Sequence, residues 1–316
     1  METHTYGSYH FTPHAVYSSI VDAAQSKKNW DFIIVTTKAL PNLIDDSETI
    51  APLVTKDSSI VLIQNGVGVE EPHRARFPKN PILSAVTIVS AAQTEPGTIK
   101  QNRWTRISVG PYVEASDEPF EGRQELETRS KRENTRFVEL LKGGGIEDAE
   151  DYEEKGLQLV RWHKLAVRPF SRSVATFADR FEQINASMNT SAVLSGGTGN
   201  SRMSLDPELR LHLTGCMNEI FTTAPLVLSV PWPPKLASIN AEKILKSSER
   251  NTAGKPSMLL DWEAGRPLEL EVILGNPLRI ARRKGVEMPR LQSLYALLKM
   301  AEARRDEEKN VGKAKL

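Results

Sequence analysis

Apolar residues are distributed differently in the two halves of this chain. In the first half they form short continuous runs: Asp31–Leu40 ("DFIIVTTKAL"), Ser58–Gly68 ("SSIVLIQNGVG") and Pro81–Ala91 ("PILSAVTIVSA"). Runs this short, rich in β-branched residues and ended by polar or glycine residues, predict strands buried on both faces of a parallel sheet. Helix-like stretches, "DSETIAPLVTK" and "EEPHRARF", lie between them. Strands alternating with short helices predict βαβ units. "GTIKQNRWTRISVGPY" then predicts two further strands in antiparallel pairing. The first segment is polar and irregular. Glu114–Asn134 is charged and nearly free of aliphatics, which predicts an exposed insertion or loop.

From about Tyr152 the period changes. "DPELRLHLTGCMNEIFTTAPLVL", "PPKLASINAEKILKSS", "PLELEVILGNPLRIARRKG" and "PRLQSLYALLKMAEARR" read as helices, and the charged "RRDEEKNVGKAKL" predicts a frayed end. The expected fold is α/β: a parallel sheet over residues 1–150, followed by an all-α domain over 151–316. Ligands of such sheets bind at the carboxyl ends of the strands.

Composition narrows the function classes. Lys plus Arg number 41 and Asp plus Glu 40, so the basic footprint of a nucleic-acid binder is missing. One cysteine, Cys216, excludes an intramolecular disulfide and a cysteine metal cluster. His10 and His14 are spaced as His-x-x-x-His, but no His-Glu-x-x-His motif and no cysteine pair accompanies them, so no metal is expected. No apolar run approaches the roughly 18 residues of a membrane span, and no secretory leader pattern opens the chain. A cytoplasmic protein without nucleic-acid or membrane partners is expected.

Several residues stand where chemistry is done. Lys38 and Asn65 follow the first two apolar runs, and Gly66 and Gly68 come directly after Asn65. The glycines either let backbone approach a ligand or simply form a turn with positive φ. Lys164, in "LVRWHKLAV", either snorkels to the surface or is held as a proton donor. Ser257 precedes a helix-like run and so suits an N-cap. Asp261 suits support of a turn. Glu269 stands among apolar residues, where a carboxylate needs a partner or a shifted pKa. "SGGTGNS" follows no strand and lacks the Lys-Ser/Thr of a phosphate loop.

"IVTTKALP", "VLIQNGVGVEE", "TEPGTIKQ", "WHKLA", "INASMN" and "SMLLDWEAGRPLELEVILGN" occur here in that order, followed by "GVEMPRLQSLYALLK". Together they resemble the ketopantoate reductase family, including its fungal-type members, from Asp31 to about Lys299. The resemblance implies reduction of 2-dehydropantoate, a 2-keto acid, to pantoate in pantothenate biosynthesis, with NADPH as cofactor. It also implies a Rossmann-type domain, a helical domain and a homodimer as a candidate assembly. On the cofactor side it points to Lys38, Asn65, Ala91 and Glu269. It makes Lys164 the general acid, and assigns the substrate to Asn65, Asn185, Asn189, Asn200 and Ser257. Two other readings stay open: a reductase of another 2-keto acid, and a non-catalytic remnant that serves as a dimerisation module.

Two departures from the family pattern bear on activity. No Gly-x-Gly-x-x-Gly turn occurs, so the sheet is expected to lack its first βαβ unit and the phosphate cradle. The chain is therefore expected to start inside the family's first domain, with weakened cofactor affinity. Second, Asn185 and Asn189 lie 21 and 25 residues beyond Lys164, where the family has them four and eight beyond. On an unbroken helix Asn185 would sit about 31 Å away, at ~1.5 Å per residue. Pro169 disfavours such a helix. Removing the 17 residues Val167–Gln183 restores "HKLAINASMN" and the four-and-eight spacing. Val167-Arg168 can be encoded as a GT-initiated splice donor, Ala178-Asp179 can hold a CTGAC branch point, and Gln183 can be CAG. Residues 167–183 are therefore expected to be an insertion, read as a translated retained intron, with a genuine extra loop as the alternative.

Overall fold

The computed structural model describes residues 2–3, 6–113, 121–166, 185–250 and 255–313. Residues 167–183, expected to be an insertion, lie outside the described residues. The chain divides into two compact units. The first holds residues 1–37, 44–64 and 69–157. The second holds 38–43, 65–68 and 158–316. The two short excursions Lys38–Leu43 and Asn65–Gly68 thus belong with the helical unit, although the chain reaches them from the sheet.

The first unit opens on two-residue strands, β1 (Glu2–Thr3) and β2 (Gly7–Ser8), and a short helix, α1 (Ile20–Gln25), capped by the Ser19 side chain. Next come β3 (Phe32–Val35), α2 (Asp46–Ile50) running into a 3₁₀ turn (Ala51–Leu53), β4 (Ser59–Leu62) and α3 (Glu71–Arg76). β5 (Ile82–Glu95) and β6 (Thr98–Pro111) follow, then helix α4 (Arg123–Gly143) and β7 (Ala149–Asp151).

Among the described residues the strands form one sheet in the order β2-β1-β6-β5-β4-β3, with β7 also on β6. It is mixed, a parallel part joined to the antiparallel pairing expected after the third apolar run. β3, β4 and β5 run parallel, but β5 and β6 make a long antiparallel hairpin. The stretch expected to give two strands after Gly97 gives one of 14 residues. Pro96 and Gly97 turn the chain, Gly97 at φ +80°, and no second turn signal interrupts the run. β4 is buried at all four positions, as its continuous apolar run requires.

The charged stretch 123–134, expected as a loop, is the first half of α4. Leu126, Ser130, Glu133, Asn134, Phe137 and Val138 are buried and recur at helical spacing. Half of that face is polar, so a scan for aliphatics misses it. Asn134 donates to Val109 O at 3.3 Å and to Asp151 Oδ1 at 2.6 Å, tying the helix to the sheet. Phe137 and Val138 join Val61, Leu83, Ala85, Ile107, Val109 and Ala149 in one apolar cluster.

Helix α5 (Glu154–Ala166) carries the chain into the second unit. There a π-helical turn (Asn185–Asn189) leads directly into α6 (Thr190–Leu194). α7 (Asn200–Leu205), α8 (Pro207–Leu228), α9 (Pro234–Ala237) and α10 (Ala241–Ser248) follow. After α11 (Ser257–Glu263) comes a second π-helical turn (Glu271–Gly275), then α12 (Asn276–Arg283) and α13 (Pro289–Lys313). α8 is the central support. Leu213, Cys216, Met217, Ile220 and Ala224 are fully buried along it, and α7, α10 and α13 pack against it. The end expected to fray remains helical to Lys313. Arg305 stacks on the Trp262 ring at 4.4 Å, and Lys309 donates to Gly265 O at 2.6 Å. No described helix is long and apolar enough to cross a membrane.

Candidate active site

The second unit gathers Lys38, Asn65, Lys164, Asp261 and Glu269 through direct contacts. Lys38 stands three residues beyond β3, and Asn65 three residues beyond β4. Both occupy the strand-end position that open α/β sheets use for ligands.

A hydrogen-bonded chain runs through Asn65. Lys164 Nζ donates to Asn65 Oδ1 at 3.0 Å, and Asn65 Nδ2 donates to Glu269 Oε2 at 3.3 Å. The partners themselves fix the amide orientation. Flipped, the NH₂ would face an ammonium and the oxygen a carboxylate. Glu269 also accepts from the Ala39 backbone N–H at 3.4 Å. Burial raises the Glu269 carboxyl above its usual range. The Asn65 hydrogen bond, the Ala39 N–H and the Lys38 charge oppose that rise, but burial outweighs them. Glu269 therefore has both the partner and the shifted pKa that its apolar sequence context calls for.

Lys38 is paired with Asp261, whose other oxygen, Oδ1, accepts from Arg266 Nε at 2.9 Å. Asp261, expected only to support a turn, is 7% exposed and holds two cations. Nothing local in the sequence links it to Lys38, which lies in a distant segment.

The turn after Asn65 has positive φ at Gly66 (+88°) and Gly68 (+72°), as a turn reading requires. The protein's own helices fill the space beside it. A Cβ on Gly66 would lie 2.5 Å from Val272 Cβ and from its carbonyl oxygen, and one on Gly68 would lie 3.1 Å from Asn276 Nδ2. At these two glycines the backbone closely approaches the second π-helical turn and α12.

Asn189 ends the first π-helical turn and is fully buried. Asn185 begins that turn. The turn packs against α8, α11 and the second π-helical turn, so it meets the helix that carries Ser257 and Asp261. Ser257 is exposed at the first position of α11, and its neighbour Pro256 takes the cap position, so the alternative of a plain N-cap does not account for Ser257. Asn200 starts α7 at 2% exposure, its Oδ1 without a hydrogen-bond partner among the described residues. Ala91 lies in the first unit, exposed on β5 next to a register shift.

The chain as a whole is similar to known proteins. The family profile "Ketopantoate reductase PanE/ApbA" matches residues 1–114, and "Ketopantoate reductase PanE/ApbA C terminal" matches residues 182–302. The crystal structure of 2-dehydropantoate 2-reductase from Methylococcus capsulatus superposes with a TM-score of 0.72 at 30% identity, covering 96% of this chain and 83% of that one. The chain belongs to the ketopantoate reductase PanE/ApbA family. Members are NAD(P)-dependent oxidoreductases that act on keto acids. In Saccharomyces cerevisiae the uncharacterized protein YDL144C is 28% identical over 330 residues, covering 95% of this chain and 80% of the yeast protein. The ternary structure of D-mandelate dehydrogenase with NADH and anilino(oxo)acetate shares the fold, with a TM-score of 0.60 at 20% identity over 87% of this chain and 77% of that one.

The nicotinamide cofactor of the family fits this polar set at one end. An ammonium, an amide and a protonatable carboxyl, at Lys38, Asn65 and Glu269, suit ribose hydroxyls and a carboxamide. The diphosphate end has no Gly-x-Gly-x-x-Gly turn in this sequence to rest on.

Proposed function

We propose that this protein is an NADPH-dependent reductase of 2-keto acids, with 2-dehydropantoate as substrate and pantoate as product. The carrying observation is the Lys164–Asn65–Glu269 chain. When bound, the cofactor supplies a hydride to the ketone carbon, and negative charge gathers on the ketone oxygen. An ammonium has three donors. Asn65 Oδ1 takes one from Lys164 and so steers the others. Lys164 then stabilises the developing alkoxide and delivers its proton to that oxygen.

Lys38, Asn65 and Glu269 hold the ribose and nicotinamide end of the cofactor, with Ala91 bordering it. Asn185, Asn189 and Ser257 hold the substrate's carboxylate and hydroxyl, and Asn200 adds a further polar contact. Asn189 brings a fully buried amide to this work, and a buried amide discriminates strongly against substrates that leave it unpaired.

The test uses the purified full chain. NADPH binding is followed by fluorescence, and NADPH oxidation by absorbance, across a panel of 2-keto acids. Turnover strongest with 2-dehydropantoate supports the reading. Preference for an aromatic 2-keto acid would move the substrate toward that of the mandelate dehydrogenase relative. Absence of NADPH binding would make the chain a non-catalytic remnant.

A further inference from the structure

Arg161 is 2% exposed, among the most buried side chains of the protein. It stands on α5 three residues before Lys164, so the two share one face of the helix. Their targets are consecutive residues of the turn. Lys164 Nζ donates to the Asn65 side chain, and Arg161 NH1 donates to the Gly66 carbonyl at 3.0 Å. The amide of the same peptide unit, Val67 N–H, donates to Val272 O at 2.9 Å. The Gly66–Val67 peptide is thus pinned at both ends. One residue on, Asn276 Nδ2 donates to Val67 O at 2.9 Å.

A pinned peptide matters here because of what precedes it. Gly66 adopts φ +88°, and glycine has no Cβ to oppose rotation of its peptide to other orientations. Rotation would swing Gly66 O off Arg161 and re-aim Asn65, breaking the contacts to Lys164 and Glu269. Taking an arginine out of water is costly unless its donors are used. Spending one on this carbonyl therefore selects a single turn geometry.

We infer that Arg161 is a positioning residue, which locks the Gly66–Val67 peptide and thereby keeps Asn65 between Lys164 and Glu269. The inference rests on the reductase reading for its kinetic consequence, but not for its structural one.

Arg161→Met and Arg161→Lys, in the full-length chain, test it with two readouts. Hydrogen exchange at the Val67 amide reads the lock directly. In Arg161→Met that exchange should accelerate, while kcat/KM falls by about 10- to 100-fold, the scale of a small misplacement of a reacting group. Arg161→Lys should lie between wild type and Met in both, and it keeps the test open if the Met variant fails to fold. Asn65→Leu supplies the coupling. If Arg161 acts through Asn65, the double variant Arg161→Met/Asn65→Leu should lose no more activity than Asn65→Leu alone. The proposal is overturned by losses that multiply, by unchanged Val67 exchange in Arg161→Met, or by a Lys variant that loses activity with wild-type exchange. A wild-type chain inactive on every keto acid sinks the reductase reading instead, and Val67 exchange still decides the lock.

Discussion

Lys164 and Asn65, 99 residues apart in the chain, meet at 3.0 Å between ammonium and amide oxygen. The contact separates the two readings of a lysine on the apolar side of a helix. A snorkelling lysine extends its head to water. Lys164 is half-buried and keeps its head on an amide that is itself tied to a carboxyl.

Replacing Lys164 by Met is therefore expected to remove the proton donor while leaving the packed stem. Keto-acid reduction should fall by about 10²- to 10⁴-fold, the usual scale of general-acid catalysis. NADPH binding should change far less. Steady-state kinetics beside a cofactor titration check this, and a thermal melt close to wild type shows that the loss is chemical.

Glu269 makes stability depend on pH in a definite direction. Its folded pKa is raised by burial, whereas the unfolded carboxyl titrates near its ordinary value. Between those two values the folded state holds a proton that the unfolded state has released. The stability contribution is complete below the ordinary glutamate pKa and is lost as pH rises through the folded pKa, with a slope of up to about 1.4 kcal/mol per pH unit. Glu269→Gln removes that loss. Urea melts across pH should show the Gln variant gaining on wild type as pH rises from the acid side. Parallel curves would contradict the raised pKa.

The parts of the fold that were legible in sequence are those whose cause is local. β4 was readable because a strand covered on both faces must be a continuous apolar run; β3 shows the same run, yet it ends the strand order and leaves Ile34 exposed, so the burial on both faces expected of it is not found. The carboxyl of Glu269 was readable as troubled because its neighbours are apolar. α4 escaped because Asn134 and Glu133 do the work of aliphatics on its buried face, and hydropathy does not register an amide that donates to Val109 O and Asp151. The partnership of Lys38 with Asp261, and of Arg161 with Gly66, escaped for another reason. Each joins segments that only the fold brings together, and neither leaves a spacing to find. The two π-helical turns carry no local composition signal.

Gly66 offers a clean contrast with Gly97. Both have positive φ, but a Cβ at Gly97 meets nothing within 4 Å, whereas at Gly66 it meets Val272 at 2.5 Å. Gly97→Ala should cost only backbone strain, about 1 kcal/mol. Gly66→Ala adds a collision with backbone and should cost about 3 kcal/mol or more. Because the collision displaces the turn that carries Asn65, activity should fall at Gly66 and hold at Gly97. Equal melts for the two variants would mean that Val272 yields freely.

Deleting Val167–Gln183 tests the reading of those residues as an insertion. The deletion joins Ala166, the last residue of α5, to Ile184, just before the π-helical turn that begins at Asn185. Asn185 and Asn189 then follow Lys164 by four and eight residues, a spacing that stacks all three on one helix face. Shortening a loop contributes little by itself, since each doubling of loop length costs only about 0.6 kcal/mol. A large effect must therefore come from the continuous helix and the alignment it imposes. The deleted chain should melt no lower than the full one and reduce 2-dehydropantoate faster, by up to about 100-fold if alignment is what the full chain lacks. Loss of folding or of activity on deletion would show instead that the segment is an integral part of the enzyme, and the intron reading would fall with it.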